Sequence, residues 1–462
     1  MKRIRTPFAA LLLSTATLYA QSTQPTPADR YSFNLSPVAP PTPALKYELL
    51  FNDADRHPGN AAGLYFDAML TLGTDLDQKF EKAEEALIDH QDPKTFISIM
   101  DSTPSTPELY DELDLAARCE YCDWNSHLRE RGIQAILPHL NACRMLGRAV
   151  YLRAARQGQL GHVPNALATL RLGYELANKI ATEPADVSQV SGLVSVGMIV
   201  YFNDALVRLM SCPESPNLYW ALCNLPPCTP SIRLDGDRLG TSPPNFPALS
   251  NHKLAELSAD QWRATLTSLA SLPYPERKST GKTLDPIRDA SPDLVQQARD
   301  DYARTHSLTP DQAAHIDPAI LLGTFYFSQY NIIYDDFCKL RNLPLPIQRT
   351  LLQTQARHID QTIAQQPANP YLPRIPYANN SVETAARADR QLAALTTVEA
   401  IRSYAAAHAG SLPPSLADIT DTPAPANPMT GQPFDYKLDH NTATLSAADE
   451  RYPLYYTIQI RK

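Results

Sequence analysis

The chain has 462 residues, 44% of them apolar, with 41 Lys and Arg against 49 Asp and Glu and a formal charge of −8. This length suits two or three domains. The mild acidity, with no basic run beyond the first residues, argues against a phosphate-binding surface, so no nucleic-acid partner is expected. Proline is abundant at 41 and glycine scarce at 16, a balance that gives stiff connections between periodic segments.

The chain opens on Lys2, Arg3 and Arg5, continues in the apolar run Phe8 to Leu13, and reaches a small residue, Ala20, before polar Gln21-Ser22. That three-part pattern predicts a secretory signal peptide over residues 1–20, cut after Ala20. The apolar run is shorter than the roughly 20 residues a transmembrane helix needs, so export without a remaining span is expected. No cysteine stands near the cut, which leaves lipid anchoring unsupported. Residues 21–45 are polar and proline-rich, without period, and are read as a tether or a surface-hugging extended segment.

Helical patterning follows over 46–375, read as one helical domain. Asn60 is placed to cap a helix AAGLYFDAMLTL. A second helix is expected over 76–90, and a third from Ser105-Thr106-Pro107, with proline in the first turn. The clearest pair lies between about 139 and 180. In its second member Val163, Ala166, Leu167, Leu170, Tyr174 and Ala177 share one helical face. Gly158 and Gly161 mark the turn of an αα-hairpin. Ala154, Gly158, Ala166 and Leu167 resemble a tetratricopeptide unit, though no second copy follows at a fixed period. Residues 187–210 are apolar almost all round, which predicts a central core helix. Prolines break 212–250. Helices are then expected at 254–271, 292–305 and 311–342. The last carries the stripe Tyr326, Tyr330, Ile333, Tyr334 and Phe337, expected in the core.

The end of the chain, 381–462, changes character. One amphipathic helix is expected over 382–409, with Leu392, Leu395, Val398, Ile401, Tyr404, Ala405 and His408 on a face and Gly410 closing it. Alternation at Phe434–Leu438 and at Thr442–Leu445 predicts strands, with Asp439-His440-Asn441 as a hairpin turn, and a final LYYTIQI follows. The predicted class is therefore mainly α: a helical-hairpin body, tetratricopeptide-like, with a small C-terminal α+β module.

Several stretches together resemble an uncharacterised family of exported proteins of planctomycete-type bacteria. They include Leu45–Leu50, Pro58–Ala62, Cys122-Asp-Trp124, Leu137–Leu140, Arg171–Tyr174, Pro216–Leu222, Glu399–Ala405 and Asn427–Phe434. This resemblance implies export and architecture and no particular activity. The tail, RSYAAAHAGSLPPSLADI followed by Asn427-Pro-Met-Thr-Gly-Gln-Pro-Phe434, is similar to the globular head of type II pseudopilins. It departs from them in standing at the C-terminus and in lacking an evident calcium loop after Leu445, so the similarity implies a shared fold without filament assembly.

Among short motifs, Cys119-Glu-Tyr-Cys122 is the most suggestive. With His139 and Cys143, one helical turn apart, it has the ligand types and spacing of a structural zinc site, the one cofactor considered. Disulfides or plain core cysteines are the competing readings, favoured by export, and a redox pair is a third. The seven cysteines leave at least one unpaired in a monomer. Ser279–Thr283 lacks the earlier glycine of a phosphate loop. Asp53-Ala-Asp55 and Asp235-Gly-Asp237 lack the offsets of a calcium loop. Catalytic residues are not assigned. The expected function is an exported, non-enzymatic helical scaffold or binding protein of the cell envelope, periplasmic or extracellular, with a protein partner. An exported hydrolase without a recognisable motif and a zinc-stabilised module are the alternatives.

Overall fold

A computed structural model describes residues 29–72, 76–88, 93–103, 107–126, 137–182, 189–228, 257–271, 284–374, 378–449 and 452–461. Among these the chain is mainly helical, with fourteen α-helices and a small sheet at the C-terminus. In chain order come β1 (Asp29–Leu35), β2 (His57–Asn60), α1 (Ala61–Leu72), α2 (Asp77–Ile88), α3 (Pro93–Asp101), α4 (Pro107–Arg118) and β3 (Cys119–Tyr121). The long helices α5 (Pro138–Gln159), α6 (Val163–Ala181) and α7 (Gln189–Met210) follow, then the short α8 (Tyr219–Cys223). Next are α9 (Ala259–Ser271), α10 (Pro292–His306), α11 (Pro310–Ala314), α12 (Pro318–Cys338) and α13 (Leu345–Gln365). The chain ends with α14 (Ala378–Ala407), β4 (Asp435–Asp439), β5 (Thr442–Ala447) and β6 (Leu454–Ile460).

These elements form two compact units, and the division differs from a single helical domain over 46–375. One unit gathers Pro25–Ser126, Ile136–Arg233 and Val382–Lys462, while the other contains Leu234–Ser381. The reason is the sheet. Its strand order is β1-β6-β5-β4, with β1 parallel to β6 and the other pairs antiparallel. Seven residues that the sequence places in a tether thus form an edge strand, Asp29 opposite Leu454 through Leu35 opposite Ile460. Phe33 and Leu35 alternate inward and are buried, so β1 needs the chain's far end to cover its apolar side.

In the first unit α5, α6 and α7 pack mutually. Gly173 lets α6 approach its neighbours: a Cβ there would lie 2.6 Å from Phe202 Cζ and 2.8 Å from Val150 Cγ1. Helix α7 is long and apolar enough to cross a membrane by length and composition, and it contributes Met198, Phe202, Leu206 and Met210 to the core. Asn60 caps α1 as expected, its Oδ1 accepting from the Ala62 amide at 3.1 Å. It also joins β3's exit by accepting from Asp123 N at 2.8 Å and donating to Asp123 O at 2.9 Å. Helix α14 ends where Gly410, at φ 82°, returns its amide to Ala405 O. His440, at φ 53°, makes the β4–β5 turn.

In the second unit the expected helix over 311–342 is two. Pro318 disfavours a helical residue before it, and Asp317 accepts from the Ala319 amide at 2.9 Å, starting α12 afresh. Tyr326, Tyr330, Ile333 and Tyr334 are buried there with Trp262 and Tyr371. The side chain of Phe337 lies outside those described. So do Ser279–Thr283 and Asp235–Asp237. Helix α13, which lies outside the expected helices, completes this unit.

Candidate functional site

The four candidate metal ligands all lie in the first unit, around the junction of α1, β3, α5 and α6. Cys119 begins β3 immediately after the C-terminus of α4, and its thiol is directed at Leu115 O, 3.5 Å away. The negative end of a helix dipole disfavours a thiolate, and burial raises the Cys119 thiol further, with Lys179 opposing. This is the reverse of the electropositive helix N-terminus that activates a redox cysteine. Cys122 is buried just beyond β3 and Cys143 is wholly buried on α5. None of the seven cysteines is in a disulfide.

Tyr65 on α1 is the common neighbour of the three thiols. Its phenol is held well above its ordinary pKa by burial first, then by the nearby charge positions of Cys122, Glu175, Cys143 and Cys119. Its hydroxyl is buried without a hydrogen-bond partner. His139 is placed differently. Its ring stacks on Trp124 at 4.7 Å and 10°, and Trp124 stacks in turn on Tyr65 at 6.3 Å. Burial lowers the His139 pKa to about 4, so the ring is neutral. Among the described residues, no group of three or more His, Cys, Asp or Glu is arranged to hold a metal ion. The structure thus gathers Cys119, Cys122 and Cys143 about Tyr65 and gives His139 to an aromatic stack.

The neighbouring charges escape the sequence reading. The Glu175 side chain on α6 is fully buried. Its Oε1 accepts from Phe51 N at 2.6 Å and from Arg56 at 2.8 Å, and its Oε2 accepts from Arg56 at 3.2 Å. One turn later Lys179 donates to Cys119 O. Burial lowers the lysine's pKa, with Glu175 acting against that. Phe51 itself lies under two guanidinium groups, Arg171 at 4.2 Å and Arg118 at 4.3 Å. The available signal is three charges at four-residue spacing, Arg171, Glu175 and Lys179, inside the otherwise largely apolar run Leu170–Ile180 of the hairpin.

A second buried ion pair lies under the sheet. Glu399 and Arg402 on α14 both have fully buried side chains, 2.8 Å apart. Arg402 also donates to Ser36 O at 3.1 Å and Ser215 O at 2.9 Å, while Asn217 donates to Glu399 O at 2.9 Å and Val38 O at 3.1 Å. Burial raises the Glu399 carboxyl despite this guanidinium. Three distant stretches of chain are tied by one arginine and one asparagine.

A cleft bordered by Tyr174, Asn178, Ser195, Cys228 and Leu392 encloses about 20 Å³, which is room for one water. Its polar edge is already engaged: Ser195 donates to Ala177 O at 2.8 Å, and Tyr174 donates to Asn203 Oδ1 at 2.8 Å. No family model, curated protein or solved structure matches the chain.

Proposed function

We propose that this is an exported, non-enzymatic scaffold or binding protein of the cell envelope, whose helical body docks a protein partner. One observation carries the reading: the candidate acids and bases of the first unit spend their hydrogen bonds inside the core. Both oxygens of Glu175 are taken by Arg56 and Phe51, Lys179 by a backbone carbonyl, and Glu399 by Arg402. A general acid or base must instead reach a substrate, and groups held this way serve to fix helices. The exported-family resemblance, the tetratricopeptide-like hairpin of α5 and α6 and the pseudopilin-like end belong to the same proposal. They agree with stacked helical hairpins as a protein-docking framework and with a periplasmic or extracellular location.

The test has two parts. N-terminal sequencing of protein recovered from the envelope or medium is expected to begin at Gln21; an intact Met1 in cytosolic protein overturns export. Purified protein is expected to show no turnover on a panel of ester, glycoside and peptide substrates and no stoichiometric zinc by elemental analysis. Turnover abolished by Glu175→Gln would establish the hydrolase alternative, and one zinc lost in Cys143→Ser the metal-stabilised one.

A further inference from the structure

Helices α1 and α4 lie side by side and antiparallel. Strand β2 runs into α1 and α4 runs into β3, and the two strands pair parallel, His57 opposite Cys119 and Asn60 opposite Tyr121. At the other end of the pair Thr71 donates to Glu112 Oε2 at 3.1 Å. Tyr65, Ala68 and Leu72 of α1 and Leu109, Leu113 and Ala116 of α4 are buried. The opposite side is not the polar surface that such burial predicts. On α1, Gly63, Phe66 and Leu70 follow at spacings of three and four and form one strip. Phe66 is 51% exposed and Leu70 71%, and a Cβ added at Gly63 would meet nothing within 4 Å. On α4, Glu108, Asp111, Glu112 and Leu115 form a strip by the same spacing, with Leu115 also exposed.

The charge of this layer is one-sided. Residues 52–72 and 107–126, which carry the two helices, hold nine acids against Arg56 and Arg118, a charge of −7 where the whole chain carries −8. Both arginines are engaged elsewhere. Arg56 binds the buried Glu175 at 2.8 Å, and Arg118 binds Asp114 at 2.7 Å and lies over the Phe51 ring. The outer side therefore joins large apolar side chains to uncancelled negative charge. A single exposed apolar residue is ordinary, but several together mark a surface that another molecule covers. The charge selects which molecule. A second copy of this chain would set like charge against like, and an anionic bilayer would be repelled in the same way. The complement is apolar along one stripe and positive beside it, which is the chemistry of a basic amphipathic helix.

We propose that the outer face of α1 and α4 docks a basic amphipathic helix of a partner protein, with its apolar stripe on Phe66, Leu70 and Leu115 and its Lys and Arg side chains toward Glu108 and Asp111. This rests on the partner-docking reading above and names the surface and the partner's chemistry. The probe is a labelled synthetic peptide of about 18 residues, long enough to hold a helix, with leucines on one face and lysines beside them. One control peptide has the same composition with its leucines scattered round the helix, and a second has glutamate for every lysine. Fluorescence anisotropy with the mature full chain is expected to show saturable binding of the first peptide alone, weakened but not abolished at high salt. Phe66→Ser with Leu70→Ser is expected to weaken binding about tenfold at any salt. Glu108→Lys with Asp111→Lys is expected to weaken it about tenfold at low salt and much less at high salt. Ile347→Ser, an exposed apolar change on α13, is expected to leave it unchanged. Circular dichroism checks that each variant is folded, and Leu70→Ser alone is read if the double variant is not. The proposal is overturned if the first peptide does not bind, if the scattered peptide binds equally, or if the folded α1 variant binds fully. It is overturned as well if Leu70→Ser abolishes self-association of the chain, which would make the face a dimer contact, or abolishes sedimentation with phosphatidylglycerol vesicles, which would make it a membrane contact. None of those results touches the start at Gln21 or the absence of turnover, on which the scaffold reading stands or falls.

Discussion

The three-helix layer of α5, α6 and α7 and the four-stranded sheet belong to one unit and one buried core, yet they are built in opposite ways. The helices are consecutive in sequence, with three residues between α5 and α6, and they bury their apolar faces against one another. The sheet is closed by the two ends of the described chain, Asp29–Leu35 beside Leu454–Ile460. The helical layer is held by close packing, down to a glycine where Phe202 and Val150 approach. The sheet end is held by a buried ionic knot, Glu399–Arg402, that reaches Ser36 and Ser215. The helical layer adds to its packing the bonds of Ser195 to Ala177 O and of Tyr174 to Asn203, whereas the distant stretches at the sheet end are joined through Arg402 and Asn217.

The sharpest way to break the contrast is Arg402→Met. It strands a buried carboxylate and frees the carbonyls of Ser36 and Ser215, for an expected loss of about 3–5 kcal/mol in urea unfolding. The loss has a pH sign. Burial already raises the Glu399 carboxyl, and without the guanidinium it rises further. The unfolded chain then releases this proton at the ordinary carboxylate value while the folded one keeps it. The variant's stability therefore falls as pH rises above that ordinary value. Equal stability of variant and wild type at every pH would mean that the knot does not register the sheet.

The helical side titrates through His139. Its pKa falls from 6.5 to about 4 by burial, so the unfolded state takes up a proton first as pH drops. Stability is complete above pH 6.5 and declines toward pH 4, by up to about 3 kcal/mol. His139→Phe keeps a flat ring on Trp124 and is expected to abolish that slope; an unchanged slope rejects the buried-histidine account.

Gly173→Ala tests packing directly. The new methyl overlaps Phe202 and Val150, and a loss of about 2 kcal/mol is expected in thermal or urea unfolding. A smaller change in the same region is Tyr65→Phe. It deletes a buried hydroxyl that has no partner, so stability is expected to stay within about 0.5 kcal/mol or to rise slightly. A loss of several kcal/mol would reveal that the hydroxyl serves the surrounding cysteines.

Legibility follows the same division. The α5–α6 pair, the apolar α7, the Asn60 cap, the Gly410 stop and the β4–β5 hairpin all stand near where local pattern puts them. Each depends on residues within a few positions of one another. Local pattern leaves two matters open that long-range pairing decides: the extended segment over 21–45, of which 29–35 is β1, and the grouping of the helices over 46–375. The polar alternation of Asp-Arg-Tyr-Ser-Phe-Asn-Leu becomes a strand only because β6 offers an edge and a covered side. No window of sequence contains both partners. Of the candidate site, the cysteines and His139 were visible as residue types. That His139 stacks on Trp124, and that Glu175 and Lys179 complete the neighbourhood, was decided by which helix faces meet. Sequence by itself thus determined most of the helices with their caps and turns, though not α13 or the break before Pro318, because the energies that set them are local. Tertiary structure alone decided the strand from the chain's beginning, the division into units and the partners of Glu175 and Lys179, because those depend on surfaces brought together from far apart.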